Sequence, residues 1–331
     1  MKELLLTTLT LIIFSLQSCK TREGCPESAF PGCKLPDNNP ELFAPGFITG
    51  HYQTRDIAIN PEGSEIYFGA LISGYYTILV TVKTDDGWTE PRVVDHMEDA
   101  SYMNIEPAIS YDGEHFYFLS NRPGEEGDNS RDQDIWVMDK TDTGWSEPYN
   151  LGPPVNSESA EFYPSLTSDG TIYFTRNEQG SQQSYIYRAK LVEGQYQEPE
   201  KLPEQVNCGI NRYNAFIAYD ESYIIVPAAG RDDSHGNTDY YIVFRTEDDK
   251  WSDPVNMGDK INTADGLEFS AYVTRNNEYI FFMSRRLRDK PENLTWNYLK
   301  EISCKPESGN PSIYWMKAGF IDSLKKQAVY R

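Results

Sequence analysis

Pro107-Ala108-Ile109-Ser110-Tyr111-Asp112-Gly113 is followed by Phe116-Tyr117-Phe118, and the same order returns in Pro164-Ser165-Leu166-Thr167-Ser168-Asp169-Gly170 before Ile172-Tyr173-Phe174. A third copy runs Ala215-Phe216-Ile217-Ala218-Tyr219-Asp220-Glu221 before Tyr223-Ile224-Ile225, and two weaker copies lie at 57–63 and 271–277, ahead of Ile66-Tyr67-Phe68 and Ile280-Phe281-Phe282. Each copy is an apolar run, a pair of turn residues and a second apolar run. That order predicts a hairpin, because Asp, Asn and Gly take up the backbone of tight turns at little cost. The two runs are strands a and b of a repeating unit.

A third strand follows in every unit, at Thr77–Val80, Asp134–Val137, Tyr185–Tyr187, Asp239–Ile242 and Ser312–Trp315. Four units then continue into an aromatic-x-x-Pro element: Trp88 with Pro91, Trp145 with Pro148, Tyr196 with Pro199, Trp251 with Pro254. Proline cannot donate to a strand ladder, so this fourth strand lies at the outer edge. Four antiparallel strands recurring every fifty or so residues predict an all-β fold, a β-propeller of five four-stranded blades. A sixth blade is admitted if a degenerate unit occupies 287–311. A sandwich or jelly roll is the alternative, but it requires no such repeat. The last unit stops after its third strand, and Pro45-Gly46-Phe47-Ile48 has the Pro-x-x-apolar spacing of the fourth strands. The N-terminal segment is therefore expected to close the last blade. Phe320, Ile321 and Leu324 have helical spacing and predict a short C-terminal helix over 318–326.

The blades resemble the WD-repeat-like blades of TolB-type propellers, on Pro-x-x-x-x-Asp-Gly, the aromatic second strand, Ser120-Asn121-Arg122 and Asp134-Ile135-Trp136. The resemblance covers most of 42–317 and implies a propeller without specifying an activity, since propellers host unrelated functions.

The 331 residues divide into a signal peptide (1–18), a tether (19–41) and a single propeller domain (42–331). Lys2 precedes the apolar stretch Leu4–Leu16, which is too short for a membrane span and has signal-peptide anatomy. Leu16-Gln17-Ser18-Cys19 resembles a bacterial lipobox, which implies cleavage before Cys19 and lipid on its thiol. The expected location is the cell envelope, anchored to a membrane and facing the periplasm or the outer surface. Four cysteines remain, Cys25, Cys33, Cys208 and Cys304, with three pairings open. Cys25 with Cys33 would close a small loop in the tether. Cys208 and Cys304 fall in loops on the same face of adjacent blades and are expected to form a disulfide.

A formal charge of −21, from 51 acidic and 30 basic residues, opposes phosphate backbones, so nucleic acid is not an expected partner. The loops joining strand b to c and strand d to a share one face, here called the top, and they include the long segments 120–133, 229–238 and 285–311. Loops on a rigid scaffold tend to carry function. Residues just before each inner strand would ring the channel mouth there: Arg55 and Asp56; Asn104 and Glu106; Glu161 and Tyr163; Arg212, Tyr213 and Asn214; Glu268 and Ser270. Such a mixture suits a sugar or a protein segment, since rings offer stacking faces while carboxylates and Arg accept and donate hydrogen bonds.

The leading functional expectation is a non-enzymatic protein- or glycan-binding module acting through the top face, with no cofactor and no metal. The alternative is a carbohydrate-active enzyme drawing an acid and a base from Glu106, Glu161 and Glu268, a glycosidase pair needing a separation of about 5–10 Å. A histidine-metal lyase would need more than the scattered His51, His96, His115 and His235 supply. Arg122, Arg176, Arg231 and Arg285 follow strand b in four blades and are expected to make a repeated structural contact with the Asp that begins strand c.

Overall fold

The computed structural model describes residues 29–32, 34–124, 131–181, 183–264, 266–286, 291–303, 305–306 and 309–331. Five antiparallel sheets follow one another along them, each ordered a-b-c-d from the axis outward. Blade 1 comprises Gln53–Ile59, Glu65–Ile72, Tyr75–Thr84 and Arg92–Val93. Blade 2 comprises Asn104–Ile109, His115–Ser120, Asp134–Thr141 and Tyr149–Asn150. Blade 3 is Glu161–Leu166, Ile172–Asn177, Ser184–Ala189 and Glu200–Lys201. In blade 4 the inner strand is split into Asn211–Arg212 and Phe216–Ile217, followed by Tyr223–Ala229, Thr238–Phe244 and Val255–Asn256. Blade 5 takes Phe269–Val273, Tyr279–Ser284 and Ser312–Lys317 from the C-terminal part and its outer strand, Glu41–Leu42, from the N-terminal part.

The a–b turns take the positive φ their residues were read for, at Gly63, Gly113 and Gly170, with Glu221 and Asn277 doing the same in the weaker copies. Both faces of the middle strands are apolar because each sheet is sandwiched between two neighbours. Phe116 and Phe118 pack toward blade 1 with Tyr67, Ile78 and Val80, while Tyr117 packs toward blade 3 with Ile172 and Phe174. Fully burying one such side chain contributes about 1.5–3 kcal/mol, so these interblade layers carry the fold.

Closure by an N-terminal strand holds, but five residues earlier than the proline spacing at 45 suggests. Glu41 pairs with Trp315 and Leu42 with Tyr314, and Phe43 N donates to Ile313 O at 2.9 Å. Pro45–Ile48 form the turn beyond, where Ile48 N donates to Ala44 O at 2.9 Å. The true counterpart is Pro40-Glu41-Leu42-Phe43, in line with Pro91-Arg92-Val93-Val94, Pro148-Tyr149-Asn150-Leu151, Pro199-Glu200-Lys201-Leu202 and Pro254-Val255-Asn256-Met257. In all five the proline stands just outside the outer strand, where its missing N–H costs nothing.

Among the described residues no sixth blade forms. The segment between strands b and c of blade 5 carries instead a helix, α1 (Trp296–Ser303). The C-terminal helix, α2 (Ile321–Lys325), buries Ile321 with Phe320 and Leu324 against it, and the tail beyond pairs Tyr330 with Ser252 of blade 4. No helix among the described residues is long and apolar enough to cross a membrane.

Candidate functional site

Every inner strand carries a bulge at the same height. The register with strand b slips between Ile105 and Ala108, Phe162 and Ser165, Arg55 and Ile57, and Phe269 and Ala271. The inserted residues are Asp56, Glu106, Tyr163 and Ser270, and Asn214 fills the corresponding gap in the split strand of blade 4; all five have φ between 47° and 63°. Positive φ is costly for residues other than glycine, and bulges re-aim side chains that a regular strand would point elsewhere. Here all five are buried and meet around the axis.

The bulge residues form one network, tied by Arg55. Its Nε donates to Asp56 Oδ2 and its Nη2 to Glu106 Oε1, both at 2.7 Å. Asn214 Nδ2 donates to Glu106 Oε1 at 3.1 Å and to Ser270 Oγ at 3.0 Å. Tyr163 donates its N–H to Glu106 Oε2 at 2.8 Å and its hydroxyl to Ala271 O at 2.9 Å. The guanidinium lies over the Phe269 ring, 4.7 Å from its centroid. Burial pushes the Glu106 carboxyl up to about 7 against the pull of Arg55, with Asp56 adding to the rise. Burial works to lower Arg55, but Asp56 and Glu106 outweigh it and hold the side chain charged. The axis is therefore closed at this level by a polar plug.

Above the plug, on the top face, is a depression of about 300 Å³. The residue preceding each bulge residue forms its wall, namely Arg55, Ile105, Phe162, Tyr213 and Phe269, and Tyr76 from the b–c hairpin of blade 1 adds a sixth side chain. Glu106 and Asn214 supply the floor, and the Arg55 guanidinium, held by Asp56 and Glu106, extends onto it. Below the plug the axis narrows to about 30 Å³ between inner strands. At the bottom face Arg275 crosses the ring from blade 5. It donates through Nη1 to Tyr111 O and through Nη2 to Ser110 O, the latter at 3.0 Å, and lies over the rings of Tyr111 and Tyr219.

Of the residues singled out in the sequence, Arg55, Asp56, Glu106, Tyr163 and Tyr213 gather at this mouth, with Asn214 and Ser270. Asn104, Glu161, Arg212 and Glu268 lie further back; the first two and Glu268 turn into their own blades, and Arg212 turns to blade 3, where it also lies over the Tyr185 ring. Glu161 accepts from Arg176 Nε at 2.6 Å and from Ser157, and Glu268 from Thr263 and Ser284. Arg212 donates to the carbonyls of Cys208, Ser184 and Gly209, and Asn104 accepts from Ser120 and Arg122. Burial raises the carboxyl of Glu161, and that of Glu268 to about 7. The three glutamates therefore do not face one another across a common space.

The recurrent arginines are struts, though not to the start of strand c. Arg122 and Arg176 reach Asn104 and Glu161 at the start of strand a and carbonyls of the d–a loop, and stack on the paired b and c aromatics Phe118–Trp136 and Phe174–Tyr187. In blade 5 Arg286 stacks likewise on Phe282 and Tyr314 and reaches the carbonyls of Lys260 and Ile261, whereas Arg285 turns to Gly309 O. Arg231 pairs with Asp233 and stacks on Tyr241.

Cys208 is buried beside Ala228 and Tyr241, and burial pushes its thiol up. Cys19, Cys25, Cys33 and Cys304 lie outside the described residues, and both disulfide expectations with them. Among the described residues no group of three or more His, Cys, Asp or Glu is placed to hold a metal ion. The wall residues Phe162, Phe269, Ile105 and Tyr76 were not singled out from the sequence. The signal they left is that each of the first three immediately precedes its bulge residue, as Arg55 and Tyr213 do.

No family model matches the chain, and no curated protein does. Among solved structures it is similar to TolB from Acinetobacter baumannii, at 11% identity over 80% of this chain and 57% of that one, with a TM-score of 0.44. It is also similar to the GH43 endo-arabinanase from Bacillus licheniformis, at 13% identity over 80% of this chain and 93% of that one, TM-score 0.48. For a GH62 hydrolase in complex with xylotriose the figures are 9%, 80%, 90% and 0.44. The chain thus spans just over half the length of TolB. It is a five-bladed β-propeller on the strength of its own sheets, with TolB among the propellers it resembles.

Proposed function

We propose that this propeller is a saccharide-binding module of the bacterial cell envelope, lipid-anchored through Cys19 and acting without catalysis through its top face. The observation that carries the reading is the wall of rings, the half-buried Phe162, Tyr213 and Phe269 with the exposed Tyr76, standing around a polar floor of Arg55, Glu106 and Asn214. Rings stack on the apolar faces of a pyranose while the floor meets its hydroxyls, and a cavity of this size matches the small end of ligand pockets. The Arg55–Glu106 pair holds the floor rigid before a ligand arrives, which lowers the cost of ordering on binding. Ala29, Phe30 and Leu35 lie beside the a–b turn of blade 1 on the bottom face; with an anchor at Cys19, that side would face the membrane and the depression would point away from it.

Calorimetric titration or a glycan array on the mature protein tests the reading. Phe269→Ala and Tyr213→Ala are expected to weaken the binding of a retained saccharide by tenfold or more while the fold persists. Unchanged binding in both variants would overturn it. Mass spectrometry of the N-terminal peptide tests the anchor, and Cys19→Ser should release the protein from the membrane fraction.

A catalytic reading draws on one observation, the Glu106 carboxyl held near neutral pH where a general acid works. Its base would have to be Asp56, which is 2% exposed and bound to the same guanidinium. Hydrolysis of an oligosaccharide by the wild type, lost in Glu106→Gln with binding retained, would replace the binding module with an enzyme.

A further inference from the structure

The charge of the floor bears on which saccharides fit, an inference that rests on the binding reading above. Arg55 spends Nε on Asp56 and Nη2 on Glu106, and its Nη1 meets no hydrogen-bond acceptor among the described residues. The side chain is 16% exposed, against 1% for Asp56 and 4% for Glu106. Of these three charged groups, the one best placed to meet a ligand is therefore an N–H donor.

One guanidinium nevertheless stands between two carboxylates, and Asp56 Oδ1 is buried with no hydrogen-bond partner. The charged groups that face Glu106 are Arg55 and Asp56 from blade 1; Tyr163, Asn214 and Ser270, from blades 3, 4 and 5, are uncharged. With both carboxyls ionised the floor carries a net charge of about −1, and low local dielectric leaves that charge poorly screened. A ligand carboxylate that reached Nη1 would meet a guanidinium already overcompensated by two carboxylates. A hydroxyl or amide oxygen would meet only the donor.

We infer that the depression selects a neutral saccharide, taking an uncharged hydroxyl or acetamido oxygen on Arg55 Nη1, and discriminates against uronates and other acidic sugars.

The test compares neutral hexasaccharides (xylohexaose, maltohexaose, chitohexaose) with hexagalacturonate on the mature protein at about pH 8 and about pH 5.5, which bracket the carboxyl of Glu106 while leaving the uronates ionised. The best neutral probe is expected to bind at least tenfold tighter than hexagalacturonate at the higher pH. That gap should shrink severalfold at the lower pH, where Glu106 takes up a proton, and in Glu106→Gln at the higher pH. The pH comparison needs no variant, so it stands even if Glu106→Gln fails to fold. Equal or tighter binding of hexagalacturonate at the higher pH overturns the charge rule, and so does a gap that pH does not move. If no hexasaccharide of either kind binds at either pH, the saccharide reading itself falls, and the charge rule with it.

Discussion

Arg55 of the first blade donates through Nη2 to Glu106 of the second at 2.7 Å, one of the contacts through which the bulge residues join the blades at the axis. The arginine is the counter-charge for two buried carboxylates, so its removal strands both. Breaking a buried pair by deleting one partner costs about 3–5 kcal/mol. Arg55→Met is expected to lose about 3 kcal/mol in chemical denaturation, reduced because Glu106 can escape its charge by protonation. Arg55→Met with Glu106→Gln should lose less than the two single changes summed. Strict additivity in that double-mutant cycle would mean that the two residues are not coupled.

The same carboxyls fix the direction of a pH effect. Burial lifts Glu106 and Glu268 from an ordinary value of 4.5 to about 7. A carboxyl raised on folding binds more protons in the native state. Its stabilising share is complete below about 4.5 and is lost as pH climbs through about 7, on the order of 1–3 kcal/mol for each buried group. Asp249 has the opposite sense. Arg188 hydrogen-bonds it and holds it down at about 2, with Arg245 adding to the effect, so its contribution is present above about 4 and fades in acid. The melting temperature is expected to be higher at about pH 5.5 than at about pH 8, and Glu106→Gln and Glu268→Gln should each flatten that difference. A melting temperature that rises between those two values would contradict the burial of both groups.

At the opposite face Arg275 joins blade 5 to blade 2 through the carbonyls of Ser110 and Tyr111, and lies over Tyr111 of blade 2 and Tyr219 of blade 4. Charge-assisted hydrogen bonds and a ring contact across the mouth together amount to roughly 2–3 kcal/mol. Arg275→Ala is expected to lower stability by about that much without disturbing the proposed saccharide site on the other face. Arg275→Lys should recover little, because an ammonium cannot both span two carbonyls and lie flat between rings. Full recovery by lysine would show that charge alone matters there.

The repeat is legible in the sequence because each strand reports itself through apolar runs and each turn through Asp-Gly or its substitutes. The stretch of each inner strand that reaches the channel mouth was legible for the same reason, since its distance from the repeat is fixed. Which of them meet is not legible. A bulge advances the strand by one residue, and the five bulge positions hold Asp, Glu, Tyr, Asn and Ser, with no shared chemistry to mark them. Hence Glu106 reaches the axis while Glu161 and Glu268, two residues before the bulge positions of their blades, turn into them. A second repeat went unread for the opposite reason, being too short to stand out. Asn156, Asn207 and Asn262, each after Val or Ile, clamp both backbone groups of Ile135, Ile186 and Tyr240 at the head of strand c. These two-residue signals acquire meaning only when three blades are superposed.

Ring closure rests on a strand of two residues, so the residue that follows it matters more than the strand's hydrogen bonds. Phe43 is fully buried, and its ring meets Phe281 edge-on at 4.9 Å and Trp315 at 5.1 Å. Phe30 packs on the same cluster from the segment before it, 5.3 Å from Trp315. Removing a buried phenylalanine costs about 3–5 kcal/mol through lost transfer energy and the cavity it leaves. Phe43→Ala is expected to reach that range, and because it frees the outer strand of blade 5, amide exchange should quicken first at Ile313 to Trp315. Phe30→Ala, at the edge of the cluster, should cost about half as much. Uniform acceleration of exchange over all five blades would show that closure is not the weak point of the ring; acceleration confined to blade 5 would show that the N-terminal strand is its latch.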